Sequence, residues 1–123
     1  MLIENSSDLI REVHQGHLAS GKAVDLACLV NGQVLAISDD ALALFARLDD
    51  VADELGNGLI RSVTIPEPFQ LSHSDGYLQE HRAGYVGLSD GRVLLITLND
   101  VQMFPSKQDA LRNQDEITRI ALG

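Results

Sequence analysis

Two segments of the sequence place an Asn-Gly or Asp-Gly pair between runs of apolar residues. The first surrounds Asn31-Gly32 and the second surrounds Asp90-Gly91. Glycine readily takes the positive φ that a type I′ turn needs, and Asn or Asp tolerates it at the preceding position. Such a pair between apolar runs is the strongest short-range signal of a two-residue β-hairpin. Both segments are therefore predicted to be antiparallel hairpins.

The two hairpin segments also resemble each other. Leu35 and Ile37 follow the first glycine at the same distances as Leu94 and Ile96 follow the second. The match has two interpretations: a duplication that gives a pseudo-symmetric sheet, or coincidence, because hairpins converge on this pattern easily. Coincidence is the preferred interpretation at this stage.

Three further segments show apolar residues at helical spacing behind a residue that can cap a helix N-terminus. The caps are Ser6 or Ser7, Ser38 and Ser106, and Gly56 ends the second segment. Ser106 and Asp109 have the spacing of a capping box in its acidic variant. The apolar residues of the three segments are Leu9, Ile10 and Val13; Leu42, Phe45, Leu48, Ala52 and Leu55; and Ala110, Leu111, Ile117, Ile120 and Leu122.

Residues 59–65 show an alternating pattern that predicts a strand, and Pro66 ends it. One face of this strand has Leu59, Arg61, Val63 and Ile65, and the residues between them form the other face. Together with the hairpins and helices, this order predicts an α+β fold: a mostly antiparallel sheet built around two tight hairpins, with about three helices. A chain of 123 residues fits a single domain covering residues 1–123.

Composition narrows the classes of function. Nine Lys and Arg oppose eighteen Asp and Glu, for a formal charge of −9, so nucleic acid is not an expected partner. Residues 1–17 lack the apolar core of a signal peptide, and no apolar run approaches the length of a membrane span, so a cytoplasmic protein is expected. Cys28 is the single cysteine and lies in an apolar run, where we expect a buried thiol. No cofactor is expected.

The hairpin strands have apolar residues at successive positions, as in Val34–Ile37 and Val93–Ile96. Both faces of such strands must be hidden from water. Three short helices leave apolar surface uncovered, so we expect a homodimer that packs through the sheet or its edge strand. The alternative is a monomer with helices on both faces.

A polar segment, residues 67–83, is the candidate ligand site because long unstructured connections inside domains are often functional. His73 is suited to act as a general base oriented by a neighbouring carboxylate. Alternatively, Asp75-Gly76 is a third hairpin turn and these histidines lie on the surface. The candidate ligand-binding residues are His73, Asp75, Tyr77, Glu80, His81 and Arg82.

His14 and His17 are three positions apart on the first predicted helix, a spacing that can place two imidazoles on one metal ion. Glu12 is expected to point elsewhere on that helix, so the sequence offers no third ligand beside the two histidines. No metal site is therefore assigned, and a solvated helix face is preferred.

The preferred function is a non-catalytic protein-interaction module, such as an accessory, inhibitor or immunity-like protein. The negative charge favours a basic protein partner, which would bind at the sheet edge or at Asp49, Asp50, Asp53 and Glu54. The alternative is a module that binds a small molecule or metal, or a small enzyme, using residues 67–83. The sequence lacks the GxSxG, GxxxxGK[ST] and GxGxxG signatures of common catalytic and nucleotide sites, so catalysis is not expected.

Overall fold

The protein folds into two antiparallel sheets whose inner faces share one core. The computed structural model describes residues 9–52, 58–67, 85–88 and 91–123. Within these ranges the first sheet has the strand order β1-β2-β3-β4-β5 and the second has the order β6-β7-β8-β9. The strands are β1 (Ile10–His17), β2 (Ala23–Leu29), β3 (Val34–Ile37), β4 (Ala41–Phe45), β5 (Leu59–Thr64), β6 (Tyr85–Gly87), β7 (Val93–Ile96), β8 (Asp100–Phe104) and β9 (Thr118–Ala121). A 3₁₀ helix (Leu48–Ala52) follows β4, and a helix α1 (Lys107–Arg112) follows β8.

The main core lies between the two sheets. Alternate residues of β3 and β4, together with Ala27 and Leu29 of β2, contribute to it from the first sheet. Residues in or next to all four strands of the second sheet contribute from the other side. Burying this much apolar side-chain surface is the dominant favourable term in folding. The residues of the core are Ile10, Ala27, Leu29, Leu35, Ile37, Leu42, Leu44, Ile65, Val86, Leu88, Leu94, Ile96, Val101, Met103, Ile120 and Leu122.

The outer faces of both sheets carry smaller apolar clusters, each containing a residue from a short helix. Val51 of the 3₁₀ helix belongs to the cluster on the first sheet, and Ala110 of α1 belongs to the cluster on the second. The expectation that the hairpins need cover on both faces is therefore met inside one chain. The matching residues of the two clusters are Val34 and Val93, Phe45 and Phe104, and Val51 and Ala110.

The predicted hairpins are confirmed, but their loops have three residues rather than two. The Leu29 N–H donates to the Gln33 carbonyl at 2.9 Å, and the Gly32 N–H donates to the Leu29 carbonyl at 3.0 Å. Gly32 has a φ of 94°, whereas Asn31 is not among the described residues with positive φ. This is the three-residue hairpin loop with a left-handed glycine in third place, and not the type I′ turn.

The same pair of hydrogen bonds recurs at two other places. Leu88, Gly91 and Arg92 repeat both hydrogen bonds, and so do Leu18, Gly21 and Lys22 between β1 and β2. Gly91 has a φ of 96° and Gly21 a φ of 90°. The hairpin at Gly21 was not predicted, although a Ser-Gly pair is itself a turn signal.

The prediction of about three helices is wrong, and the fold is mostly antiparallel sheet with one α-helix and one 3₁₀ helix in the described residues. The first predicted helix is the strand β1. A β-bulge at Arg11 shifts its pairing with β2, so that Ile10 and Val13 both contact the main core. A bulge inserts one extra residue, so two neighbouring residues on the same face are three positions apart instead of two. Three positions is also a helical spacing.

The second predicted helix, from Ser38, is the strand β4 followed by the 3₁₀ helix. Leu42 and Phe45 lie at helical spacing, but they face opposite sides of the sheet and join different clusters. When both faces of a strand are buried, it is apolar at successive positions, and such a run fits both the two-residue period of a strand and the 3.6-residue period of a helix. The helix after Ser106 is shorter than predicted, because Asn113 at a φ of 54° ends it and Ile120 belongs to β9.

The elements from β2 to β5 recur in the same order from β6 to β9, with corresponding residues 59 positions apart. Gly32 corresponds to Gly91 in the first loop, and Phe45 and Phe104 end β4 and β8. The 3₁₀ helix begins 59 positions before α1. Coincidence between hairpins does not account for a match that extends to the helical segment.

The turn after each hairpin also corresponds. The Ser38 hydroxyl accepts the Ala41 N–H at 3.1 Å, and the Thr97 hydroxyl accepts the Asp100 N–H at 3.0 Å. Each turn then receives one hydrogen bond from the end of the last strand in its sheet: the Ile65 N–H donates to Asp40, and the Leu122 N–H donates to Asn99, both at 2.8 Å. The extent of this repeat favours duplication over the preferred interpretation from sequence.

Replacing Gly21, Gly32 or Gly91 by alanine is expected to lower the free energy of unfolding by about 1–2 kcal/mol, because each glycine has positive φ. An added Cβ meets no atom within 4 Å at these three positions, so the loss comes from the backbone alone. Urea denaturation followed by circular dichroism measures it. The control Ala19→Ser, in the same loop as Gly21, should stay within about 0.5 kcal/mol of wild type. Equal stability of the glycine variants and this control would contradict the loop assignment.

Candidate interface between two hairpin loops

The candidate site is an apolar recess between the β2–β3 loop and the β7–β8 loop. It joins parts of the chain that are far apart in sequence, from the residue before β1 to the residue after β9. The lining has no charged side chain. We name this surface the loop-end patch, and its residues are Leu9, Leu29, Val30, Asn31, Ile96, Thr97, Leu98 and Leu122.

Two aliphatic side chains of the loop-end patch are exposed to solvent. Leu98 is 79% exposed and Val30 is 50% exposed. Both lie in tight loops, where Gly, Asn, Asp, Ser and Pro are the usual residues. The corresponding positions of the other repeat are Asp39 and Ser89. The apolar residues are therefore a property of this loop pair and not of the repeat.

Hydrogen bonds hold the β2–β3 loop in place. The Asn31 carboxamide accepts the Gln33 N–H at 2.9 Å and donates to the Gln33 side chain at 2.7 Å. The Gln33 side chain in turn donates to the Leu122 carbonyl at 2.7 Å. This last contact ties the first repeat to the end of the second. The Val30 N–H donates to the Leu9 carbonyl at 3.0 Å, which holds Leu9 in place at the side of the recess.

The β7–β8 loop is fixed in a comparable way. The Thr97 N–H donates to the Asp100 carbonyl at 2.9 Å, and the Thr97 hydroxyl accepts the N–H groups of Asn99 and Asp100 at 3.1 and 3.0 Å. These bonds hold the backbone on both sides of Leu98, at Thr97 before it and at Asn99 and Asp100 after it. The exposed side chain therefore projects from an ordered loop.

The sequence-predicted ligand site lies outside the described residues. This applies to His73, Asp75, Tyr77, Glu80, His81 and Arg82.

The predicted acidic partner site lies only in part within the described residues. Asp53 and Glu54 fall outside them. Asp49 is exposed, whereas the Asp50 carboxylate is only 13% exposed and lies 3.7 Å from the Arg47 guanidinium. An added Cβ at Gly58 would collide with the Asp50 side chain, so that side chain is packed against Gly58, the residue before β5. The Asp50 side chain therefore contacts its own chain and offers little surface to a partner.

Other acidic residues are paired within the chain. The Lys22 ammonium lies 3.3 Å from Asp39 and 2.5 Å from Asp40, and it joins the start of β2 to the β3–β4 turn. The hydrogen bond from Lys22 lowers the pKa of Asp40 below its usual value, and the hydrogen bond to Asp40 raises the pKa of Lys22. Part of the negative charge of the chain is therefore balanced locally.

His14 and His17 do not form a pair. They lie on β1, not on a helix, and three positions along a strand place them on opposite faces. Cys28 is buried, as predicted. Burial, together with the Glu12 carboxylate, raises the pKa of the Cys28 thiol, which disfavours the thiolate that a nucleophile needs.

Helices of the described segments are all too short or too polar to cross a membrane. Comparison with protein-family models, with curated proteins and with solved structures finds no match to this chain.

The Lys22→Met variant is expected to raise the pKa of Asp40 toward its ordinary value. Because the pKa of Asp40 is lowered in the folded protein, the pair stabilises the fold above the ordinary pKa of an aspartate, and this stabilisation is lost as the pH falls through the lowered pKa. Both groups are part-exposed, so the difference in stability at neutral pH should not exceed about 1 kcal/mol. NMR titration of the carboxyl carbon measures the pKa, with Lys107→Met as the control. An unchanged pKa in Lys22→Met would contradict the assigned contact.

Proposed function

We propose that this chain is a non-catalytic protein-interaction module that associates with a second copy of itself through the loop-end patch. The observation that carries the proposal is the pair of exposed aliphatic side chains, Val30 and Leu98, beside an apolar recess. Exposed apolar side chains that are grouped on a surface are found at protein contact sites. The polar residues at the corresponding positions of the other repeat support the same interpretation.

A second copy fits this surface because the patch contains both a projecting group and a recess. In a two-fold contact each subunit presents the same surface, so a surface must complement itself. Leu98 of one copy can enter the recess beside Leu98 of the other, and the reverse contact follows by symmetry. Two-fold dimers are also the commonest oligomers of soluble proteins.

Charge supports an apolar contact at this position. The chain has a net charge of −9, but the lining of the patch has no charged side chain. A basic partner would be attracted to carboxylates, and this surface offers none to it. Two copies can therefore meet here without placing like charges inside the contact, which would cost free energy.

The sheet faces do not need the second copy that the sequence suggested as their cover, because the two sheets of one chain cover each other. The loop-end patch instead offers anchor side chains from ordered loops. Pre-ordered loops lose little conformational entropy on binding, which favours association.

Leu98→Asp is expected to weaken self-association by about 30-fold or more, because loss of an anchor residue costs about 2 kcal/mol or more. Sedimentation equilibrium over a range of protein concentrations measures the dissociation constant. Leu111→Asp is the matched control, because Leu111 is 62% exposed on α1 and lies outside the patch.

The salt dependence separates this contact from attraction to a basic protein. Self-association through the patch should persist or strengthen as salt rises, since screening reduces repulsion between two acidic copies. A chain that stays monomeric at all concentrations would refute the proposal. Equal effects of Leu98→Asp and Leu111→Asp on the dimer would place the interface elsewhere.

A further inference from the structure

Three side chains that can ligate a metal ion meet on the outer face of the first sheet, where β1 pairs with β2. They are Glu12, His14 and Cys28. Glu12 lies opposite Cys28 in the strand register, and His14 lies opposite Leu26. Glu12 and His14 are two positions apart on one strand and therefore point to the same face.

The bulge at Arg11 is what brings the three groups together. In a regular strand, Glu12 would share the face of Ile10, which contacts the main core. The bulge moves Glu12 to the outer face and sets it opposite Cys28. Bulges commonly re-aim side chains in this way next to functional sites.

The distances suit a tetrahedral ion. A ligand atom of each residue lies within 4.8 Å of the other two, and the His14 Nε2 atom is 3.1 Å from the Glu12 carboxylate. Donor atoms around tetrahedral zinc, with bonds of about 2.0–2.3 Å, stand about 3.3–3.6 Å apart. Both side chains are exposed, at 59% and 42%, so an ion can enter from solvent.

We propose that Glu12, His14 and Cys28 form a binding site for Zn²⁺. A set of one sulfur, one nitrogen and one oxygen donor suits zinc, whereas Mg²⁺ and Ca²⁺ take oxygen donors. On binding, the Cys28 thiol gives its proton to solvent and its sulfur bonds the ion. Three protein ligands leave the fourth position of the ion to a water molecule.

The site would join the edge strand to the interior of the sheet. β1 is the edge strand of the first sheet, and five of its eight residues are exposed. Cys28 belongs to the outer apolar cluster. An ion bound to both strands therefore stabilises the folded chain, and the stabilisation grows with the logarithm of the ion concentration above the dissociation constant, as for any ligand of the native state.

Titration of the reduced full chain with Co²⁺, followed by displacement with Zn²⁺, tests the proposal. Thiolate coordination gives a charge-transfer absorption band, which reports bonding to the single cysteine. We expect this band in the wild type and its removal by one equivalent of Zn²⁺ but not by Mg²⁺ or Ca²⁺. His14→Ala and Glu12→Gln should each weaken Zn²⁺ binding at least tenfold in isothermal titration calorimetry.

His17→Ala is the matched control, since His17 lies on the same strand but on the opposite face. This variant should bind Zn²⁺ as the wild type does. Absence of the thiolate band would overturn the proposal even if zinc binds, because the ion would then be held elsewhere. Equal affinities of His14→Ala and His17→Ala would overturn it as well.

Discussion

The structure depends on the burial of both faces of its central strands. All four residues of β3 are buried, and so are six of the seven residues of β2. One set of these residues faces the opposite sheet, and the other set faces the outer cluster. Each fully buried Val, Leu or Ile contributes about 1.5–3 kcal/mol relative to an exposed one, so this arrangement outweighs any single polar contact in the fold. The remaining elements are short because the sheets supply most of the cover for each other.

The loops were predictable from sequence to the extent that glycine marks them. Gly32 and Gly91 take positive φ as predicted, because few other residues do so at low cost. The loop length was not predictable from the Asn-Gly pair alone, since the same pair fits a two-residue or a three-residue hairpin. The third loop, at Gly21, shows that a Ser-Gly pair carries the same information more weakly.

Helical spacing misled the sequence interpretation for two separate physical reasons. In β1, the bulge at Arg11 gives Ile10 and Val13 a separation of three on one face. In β4, burial of both faces fills the strand with apolar residues, and helical spacing can be selected from any such run. The β-branched residues of β1 and the glycine at position 16 favour a strand over a helix, and they were the available counter-signals.

The two candidate sites were beyond sequence reasoning because both depend on strand register. Leu9 and Leu122 meet at the loop-end patch only after the two sheets have packed. Glu12 and Cys28 become neighbours only through the bulged pairing of β1 with β2. The sequence did indicate that Cys28 is buried, but burial alone says nothing about which groups surround the sulfur.

Divergence between the two repeats explains how a strongly acidic chain can carry the uncharged apolar patch through which we propose that it self-associates. Where the first repeat has Asp39, paired with Lys22, the second has the exposed Leu98. Charges farther apart than about 8 Å are largely screened at physiological ionic strength, so repulsion between two acidic copies acts mainly where their charged surfaces come close. A chain with a net charge of −9 therefore resists contact over most of its surface. An uncharged patch escapes that repulsion, so the charge on the rest of the surface would favour the proposed contact over contacts between charged faces.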